Sequence, residues 1–286
     1  VDIMVNNAGS AAGGVFKTVD GGTSWKPIFD KYPPSIGAIA IAPGNPNLVW
    51  VGTGEPNPRN NVIDGHGVYL SPDAGASWRF MGLGDAGAIS RVLIDPHDSN
   101  TVFVAVLGNI WKPNATRGIY RTTDGGATWK RVLHVDDQTG ASDLVMQPGN
   151  STVLLAGMWQ FRRFPWEFVG GGPGSGIWKS TDGGSTWKKL ERDMPEGTLG
   201  RIGADVTVAE FQHHRALNLD NLGCLHLAGG RLSEAHDRFS RAIEIQAELV
   251  AGDPTHLDYR HGLGVMLEGV GRVPGPSVEG DPAAGN

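Results

Sequence analysis

The stretch Gly118-Ile119-Tyr120-Arg121-Thr122-Thr123-Asp124-Gly125-Gly126-Ala127-Thr128-Trp129 reads as a strand that enters a tight turn and leaves it toward a second strand. Its first half carries a β-branched residue and an aromatic, which suit a pleated, half-buried surface. Its second half carries a carboxylate placed to accept from neighbouring backbone N–H groups, and glycine for the positive φ of a tight connection. The closing Trp has a large ring to bury beside an adjoining strand.

The pattern Ser/Thr-x-Asp-x-Gly-x-Ser/Thr-Trp recurs with Thr18, Asp20, Gly22, Ser24 and Trp25, with Ser71, Asp73, Gly75, Ser77 and Trp78, and with Ser180, Asp182, Gly184, Thr186 and Trp187. Each copy follows Gly, a β-branched residue and an aromatic: Gly14-Val15-Phe16, Gly67-Val68-Tyr69, Gly118-Ile119-Tyr120 and Gly176-Ile177-Trp178. The four Asp residues lie 53, 51 and 58 positions apart. Such a period fits a four-stranded blade of about 40–50 residues plus a longer loop. Two more strands fall in each interval. Ile36–Ala42, Ile89–Asp95 and Ser142–Gln147 end at Pro43, Pro96 and Pro148, and Leu48–Thr53, Thr101–Leu107 and Thr152–Trp159 are rich in Val, Leu and aromatics.

The expected fold is mainly β: a partial β-propeller of four-stranded blades, about three complete and two partial, followed by a small α-helical hairpin. The last partial blade would begin with a strand over Arg201–Val208, and an open arc is expected over a closed four-bladed ring. From Glu210 the periodicity turns helical. Leu219, Leu222, Gly223, Ala235, Phe239 and Ala242 resemble the small and large packing positions of tetratricopeptide repeats. The expected domains are 1–208 (blades), 209–272 (tetratricopeptide-like helices) and a disordered Pro-Gly-rich tail over 273–286.

Composition narrows function. The net charge of −6 supplies no basic stripe for nucleic acid. No segment approaches the roughly 18 apolar residues of a membrane span. The lone Cys224 cannot form an internal disulfide, and the histidines His66, His97 and His134 show no metal-ligand spacing, so neither metal nor cofactor is expected. Val5-Asn6-Asn7-Ala8-Gly9 is similar to a short-chain dehydrogenase segment, but the Gly-rich turn and the Tyr-x-x-x-Lys pair of those enzymes are missing.

These boxes, with the stretches around Val49–Glu55 and Phe164–Gly176, resemble the Asp-box (BNR-repeat) propellers, and in particular bacterial proteins related to the sortilin N-terminal domain. The resemblance implies that the box sits between third and fourth strands and that Asp20, Trp25, Asp73, Trp78, Asp124, Trp129, Asp182 and Trp187 are structural. It also favours a secreted or periplasmic location. Function is then sought on the long loops Gly54–His66, Gly108–Arg117 and Gln160–Ser175, at the other end of the blades. Their Asn57, Arg59, His66, Trp111, Arg162, Arg163 and Trp166 make a surface suited to a peptide, protein or carbohydrate. The leading expectation is therefore a noncatalytic binding scaffold. The rival is a sialidase- or xyloglucanase-like glycoside hydrolase fragment, for which Glu55, Asp64 and Glu167 are the candidate carboxylates. A truncated or chimeric fragment without independent function is the third reading.

Overall fold

The computed structural model describes residues 2–6, 14–191, 194–203, 208–252 and 257–271. It separates into two compact units, Val1–Ala204 and Asp205–Asn286. The first unit is antiparallel β throughout. Strands β1 (Asp2–Asn6), β2 (Gly14–Thr18) and β3 (Lys26–Pro27) form a three-stranded sheet. Three four-stranded blades follow. The first is β4 (Ile36–Ala42), β5 (Asn45–Thr53), β6 (Val68–Ser71) and β7 (Arg79–Phe80), and the second is β8 (Ala88–Ile94), β9 (Val102–Gly108), β10 (Gly118–Thr122) and β11 (Lys130–Leu133). The third runs β12 (Thr139–Gln147) and β13 (Asn150–Gln160), inserts the small hairpin of β14 (Arg162–Arg163) and β15 (Phe168–Val169), and resumes with β16 (Gly176–Ser180) and β17 (Lys188–Lys189).

Each box forms the turn into the last strand of its sheet. In the second blade, Asp124 Oδ1 accepts from Thr128 N at 2.9 Å and from the Thr122 hydroxyl at 2.6 Å, while Oδ2 accepts from the Thr128 hydroxyl at 2.6 Å. The other boxes repeat this pattern through Asp20–Ser24, Asp73–Ser77 and Asp182–Thr186. Hydrogen bonds to the ionised form hold all four carboxyls at a pKa of about 2; the largest contributor is the hydroxyl of Ser24, Ser77 or Thr186 in three boxes and that of Thr122 in the fourth.

The blades stack face to face, and strand β9 shows why its sequence, Val-Phe-Val-Ala-Val-Leu-Gly, is apolar without alternation. Val102, Val104 and Val106 pack with Trp50, Val68 and Ala42 of the first blade. Phe103 and Ala105, pointing the other way, pack with Ala141, Leu154, Ala156 and Met158 of the third. A strand covered on both faces has no polar side to alternate with. Two box tryptophans each tie a blade to the sheet before it: Trp78 Nε1 donates to Ile28 O and Trp129 Nε1 to Met81 O, both at 2.7 Å, each acceptor lying just past the last strand of the preceding sheet. Trp25 and Trp187 instead donate to Gly22 O and Gly184 O within their own turns, at 3.1 Å. Gly126 combines two demands, since its φ is +90° and a Cβ there would lie 2.6 Å from the Trp50 ring.

The innermost strands touch one another. A Cβ on Gly140 of β12 would lie 2.0 Å from Leu107 O of β9. Ser90 of β8 donates its hydroxyl to Ala141 O at 2.6 Å, and Ser142 repeats the bond to Ile202 O at 2.7 Å. Residues Arg201–Gly203 thus lie beside β12 in the way that β12 lies beside β8. They do not form the expected strand, however: 201–203 join no ladder, 204–207 lie outside the described residues, and α1 begins at Val208. Backbone-to-hydroxyl contact alone is not a sheet, which needs a partner strand on at least one edge.

The second unit contains α1 (Val208–Ala228), α2 (Leu232–Gly252) and α3 (Leu257–Gly271). Phe239 is fully buried, with its ring edge against Gly223, where a Cβ would come within 2.7 Å. Ala216, Ala242 and Met266 bring one residue of each helix into a shared core. Gly230, with φ +73°, closes the turn after α1. The 273–286 tail and Asn7-Ala8-Gly9 lie outside the described residues. No helix among the described residues is long and apolar enough to cross a membrane.

Candidate functional site

Because strand direction alternates, the β5–β6, β9–β10 and β13–β16 connections lie at the blade end opposite the boxes. The three loops are tied to one another there. Asn109 Nδ2 approaches both oxygens of Asp64 at 3.4 Å, Arg163 N donates to Ile110 O at 2.8 Å, and the Arg163 guanidinium donates to Asn60 Oδ1. Arg201, just past the third blade, donates from Nη1 to Asn57 Oδ1 at 2.6 Å.

Beneath these contacts lies a buried arginine that sequence reasoning passed over. Arg117 has no solvent-accessible surface. Its Nη2 donates to Asn109 O at 2.6 Å and its Nη1 to Gln138 O, so one side chain holds the carbonyls of two loops. Burial lowers its pKa to about 10, with Asp136 and Asp137 opposing the shift. The guanidinium stacks 4.3 Å from the Phe161 ring, Phe161 stacks on Trp159 at 4.5 Å, and Arg201 lies 5.8 Å from the Trp159 ring. This cation–ring–ring–cation ladder joins the buried layer to the exposed one. Its members sit at positions 117, 159, 161 and 201, and no local pattern links them.

A second, exposed ladder stands on the β14–β15 hairpin. Arg162 lies 4.4 Å over the Phe164 ring, and Phe164 stacks on Trp166 at 5.8 Å. Trp166 is 80% exposed, so the outer ring face is open. Trp111, by contrast, is half-buried and packs against the cluster of Leu107, Ile110, Trp159 and Phe161.

The candidate carboxylates differ in environment. Glu55 is 6% exposed and takes the Arg59 Nε at 2.5 Å, an ion pair that also raises the Arg59 pKa. Asp64 is exposed and has only the long Asn109 contacts among its described bonds. Glu167 is exposed at the turn of the β14–β15 hairpin. His66 is exposed, and its backbone N donates to the Thr53 hydroxyl at 2.7 Å. A fourth carboxylate, Asp143 on β12, is 9% exposed and accepts from Arg91 of β8 at 2.7 Å. Among the described residues no group of three His, Cys, Asp or Glu is placed to hold a metal ion.

The family model described as sortilin, neurotensin receptor 3, matches residues 66–216, just over half of the chain. A xyloglucanase of Hypocrea jecorina is 31% identical over 119 residues, which cover 38% of this chain and 12% of that enzyme. A probable oligoxyloglucan-reducing end-specific xyloglucanase of Neosartorya fischeri is 30% identical over 137 residues, covering 44% of this chain and 14% of the enzyme. The chain therefore spans about one-eighth of the length of these relatives. Among solved structures, the GH74 xyloglucanase from Xanthomonas campestris superposes with a TM-score of 0.47 at 16% identity, over 69% of this chain and 32% of that one. The sequence relatives overturn the expectation of a noncatalytic scaffold, since those named are xyloglucan-cleaving enzymes, and they lend no support to a protein or peptide partner. The box repeat could not have revealed this, because a turn that fastens a hairpin carries no information about the loops at the far end.

Proposed function

The chain belongs to the Sortilin-Vps10 family, and from that premise we propose that its propeller unit is a segment of a glycoside hydrolase of the xyloglucanase type, holding a glucan chain across its loop end. The carrying observation is the 30–31% identity to xyloglucanases over 119–137 residues. The loop end supports it physically: an open indole face at Trp166 suits the apolar face of a pyranose ring, and Asn57, Asn60 and Asn109 bring amide groups to the same end.

In this reading the carboxylates divide by environment. Asp64, with its oxygens only loosely engaged, is the candidate for acid–base work, and Glu167 is the second exposed carboxylate of this end. Glu55 positions Arg59 through a short ion pair and is not available to a sugar oxygen. Hydrolysis needs two carboxyls roughly 5–10 Å apart across the scissile bond. The box aspartates, already saturated by hydroxyl and backbone donors, remain turn fasteners. The helical unit is read as a tetratricopeptide-like segment, supported by the Gly223–Phe239 fit.

The test is binding and turnover with xyloglucan oligosaccharides. Saturable binding that Trp166→Ala weakens, with reducing-end release that Asp64→Asn abolishes, is the expected result. Absence of both binding and release at millimolar oligosaccharide would end this reading.

A further inference from the structure

Resting on the reading of the loop end as glycan-holding, we infer that this end selects glycans bearing carboxylate groups, that is uronic acid residues, over neutral ones. The observation is a set of guanidiniums gathered around one loop tip. Asn57-Pro58-Arg59-Asn60 spans no more than about 11 Å between its end Cα atoms. Arg201 is bound at one end of that tip through Asn57 and Arg163 at the other through Asn60, and Arg59 lies between the two asparagines in the sequence.

The charges are not matched in kind. Arg59 is neutralised by Glu55 at 2.5 Å. Arg163 and Arg201 rest on neutral amides, and among the described residues neither has a carboxylate within ion-pair distance. An amide oxygen positions a guanidinium without cancelling its charge. Each spends one N–H on that contact; the Arg163 Nε is buried, which leaves its terminal nitrogens, and the Arg201 fork, to meet a carboxylate. Two exposed carboxylates share this end, Asp64 against Asn109 at 3.4 Å and Glu167 at the hairpin turn, and among the described residues neither forms an ion pair with Arg163 or Arg201.

The surroundings set the ligand class. Arg201 covers the buried Trp159 ring at 5.8 Å, and the aromatic face open to a ligand is that of Trp166, which stacks on Phe164 under Arg162. One exposed aromatic face at the same end as unpaired guanidiniums suits a ring that is apolar on one face and carries an anion at its rim. A pyranose uronate has that form. The chain as a whole carries a charge of −6, so an anion is drawn here by local geometry and not by net charge.

The experiment uses the full chain and a matched pair: a glucuronic-acid-bearing xylo-oligosaccharide, and the same oligosaccharide with its carboxyl reduced to the alcohol. Calorimetry at low and high salt should show the acid form bound about ten-fold more tightly at low salt, the advantage shrinking as salt rises. In Arg163→Gln and Arg201→Gln the ratio of the two affinities should fall toward one. Equal affinities in the wild type, or a preference that ignores salt, would overturn the inference, and the wild-type salt series decides it even if a variant fails to fold. Neutral xyloglucan oligosaccharide is measured alongside. Neutral binding without acid preference leaves the xyloglucan reading standing and removes this one, whereas acid binding alone does the reverse. A peptide competing through its C-terminal carboxylate as well as the uronate does would overturn the ligand class.

Discussion

Replacing Arg117 by Met should destabilise the propeller unit by about 3–5 kcal/mol, and the figure can be built from its contacts. The side chain is wholly buried and holds Asn109 O at 2.6 Å and Gln138 O, with Phe161 O and Lys112 O farther off at 3.4 and 3.5 Å. Methionine fills much of the volume but donates nothing. Two part-buried carbonyls then lose a charged donor, at about 1.5–3 kcal/mol each. The lost stacking on Phe161 adds about 0.5–2 kcal/mol. Relief from burying a charge offsets part of this, which keeps the expectation below the largest sum. Arg117→Lys, a point donor that reaches fewer carbonyls, should fall between wild type and Met. Urea unfolding followed by tryptophan fluorescence reads the effect cleanly, because all nine tryptophans lie between Trp25 and Trp187, within the propeller unit. Hydrogen exchange should show amides of 109–117 loosening first. A Met variant within about 1 kcal/mol of wild type would refute the view that this guanidinium fastens the loops.

Other outcomes follow from the same contacts. Gly140→Ala places a Cβ 2.0 Å from the Leu107 carbonyl, which as backbone cannot swing away, so a loss of about 1–3 kcal/mol or more is expected in the same urea assay. Phe239→Ala empties the fully buried space against Gly223 and should cost the helical unit about 3–5 kcal/mol, read as an earlier loss of helical circular dichroism. The box carboxyls have folded pKa values of about 2, below the ordinary 3.8, so their contribution is present above about pH 4 and is lost as pH falls toward 2. Asp124→Asn should therefore give a shallower decline of stability between pH 4 and pH 2, and an unchanged slope would show that its hydrogen bonds do not distinguish the folded state.

The hairpins were legible because their chemistry is local: Asp124 finds its partners at Thr122 and Thr128, within four residues. The strands between boxes were legible for a related reason, since the run Val102–Leu107 is apolar on both faces and ends at turn residues. Past the third blade the described residues differ from the expected Arg201–Val208 strand, since 201–203 join no ladder and Val208 opens α1; apolar spacing alone does not supply a partner edge. The loop residues were visible as types and not as an arrangement. Trp111 and Trp166 look alike in sequence, yet one packs into the cluster under the loops and the other stands 80% exposed on a hairpin.

What the sequence determined alone is the repeated turn and the strands it joins, for those depend on groups a few bonds apart along the chain. Only the tertiary structure decided that Arg201 meets Asn57 across 144 positions, that Arg163 meets Asn60 across 103, and that Arg117 lies beneath both. Such meetings depend on how successive twisted sheets stack and on the path each long loop takes afterwards. Neither is encoded within the span over which residue periodicity acts.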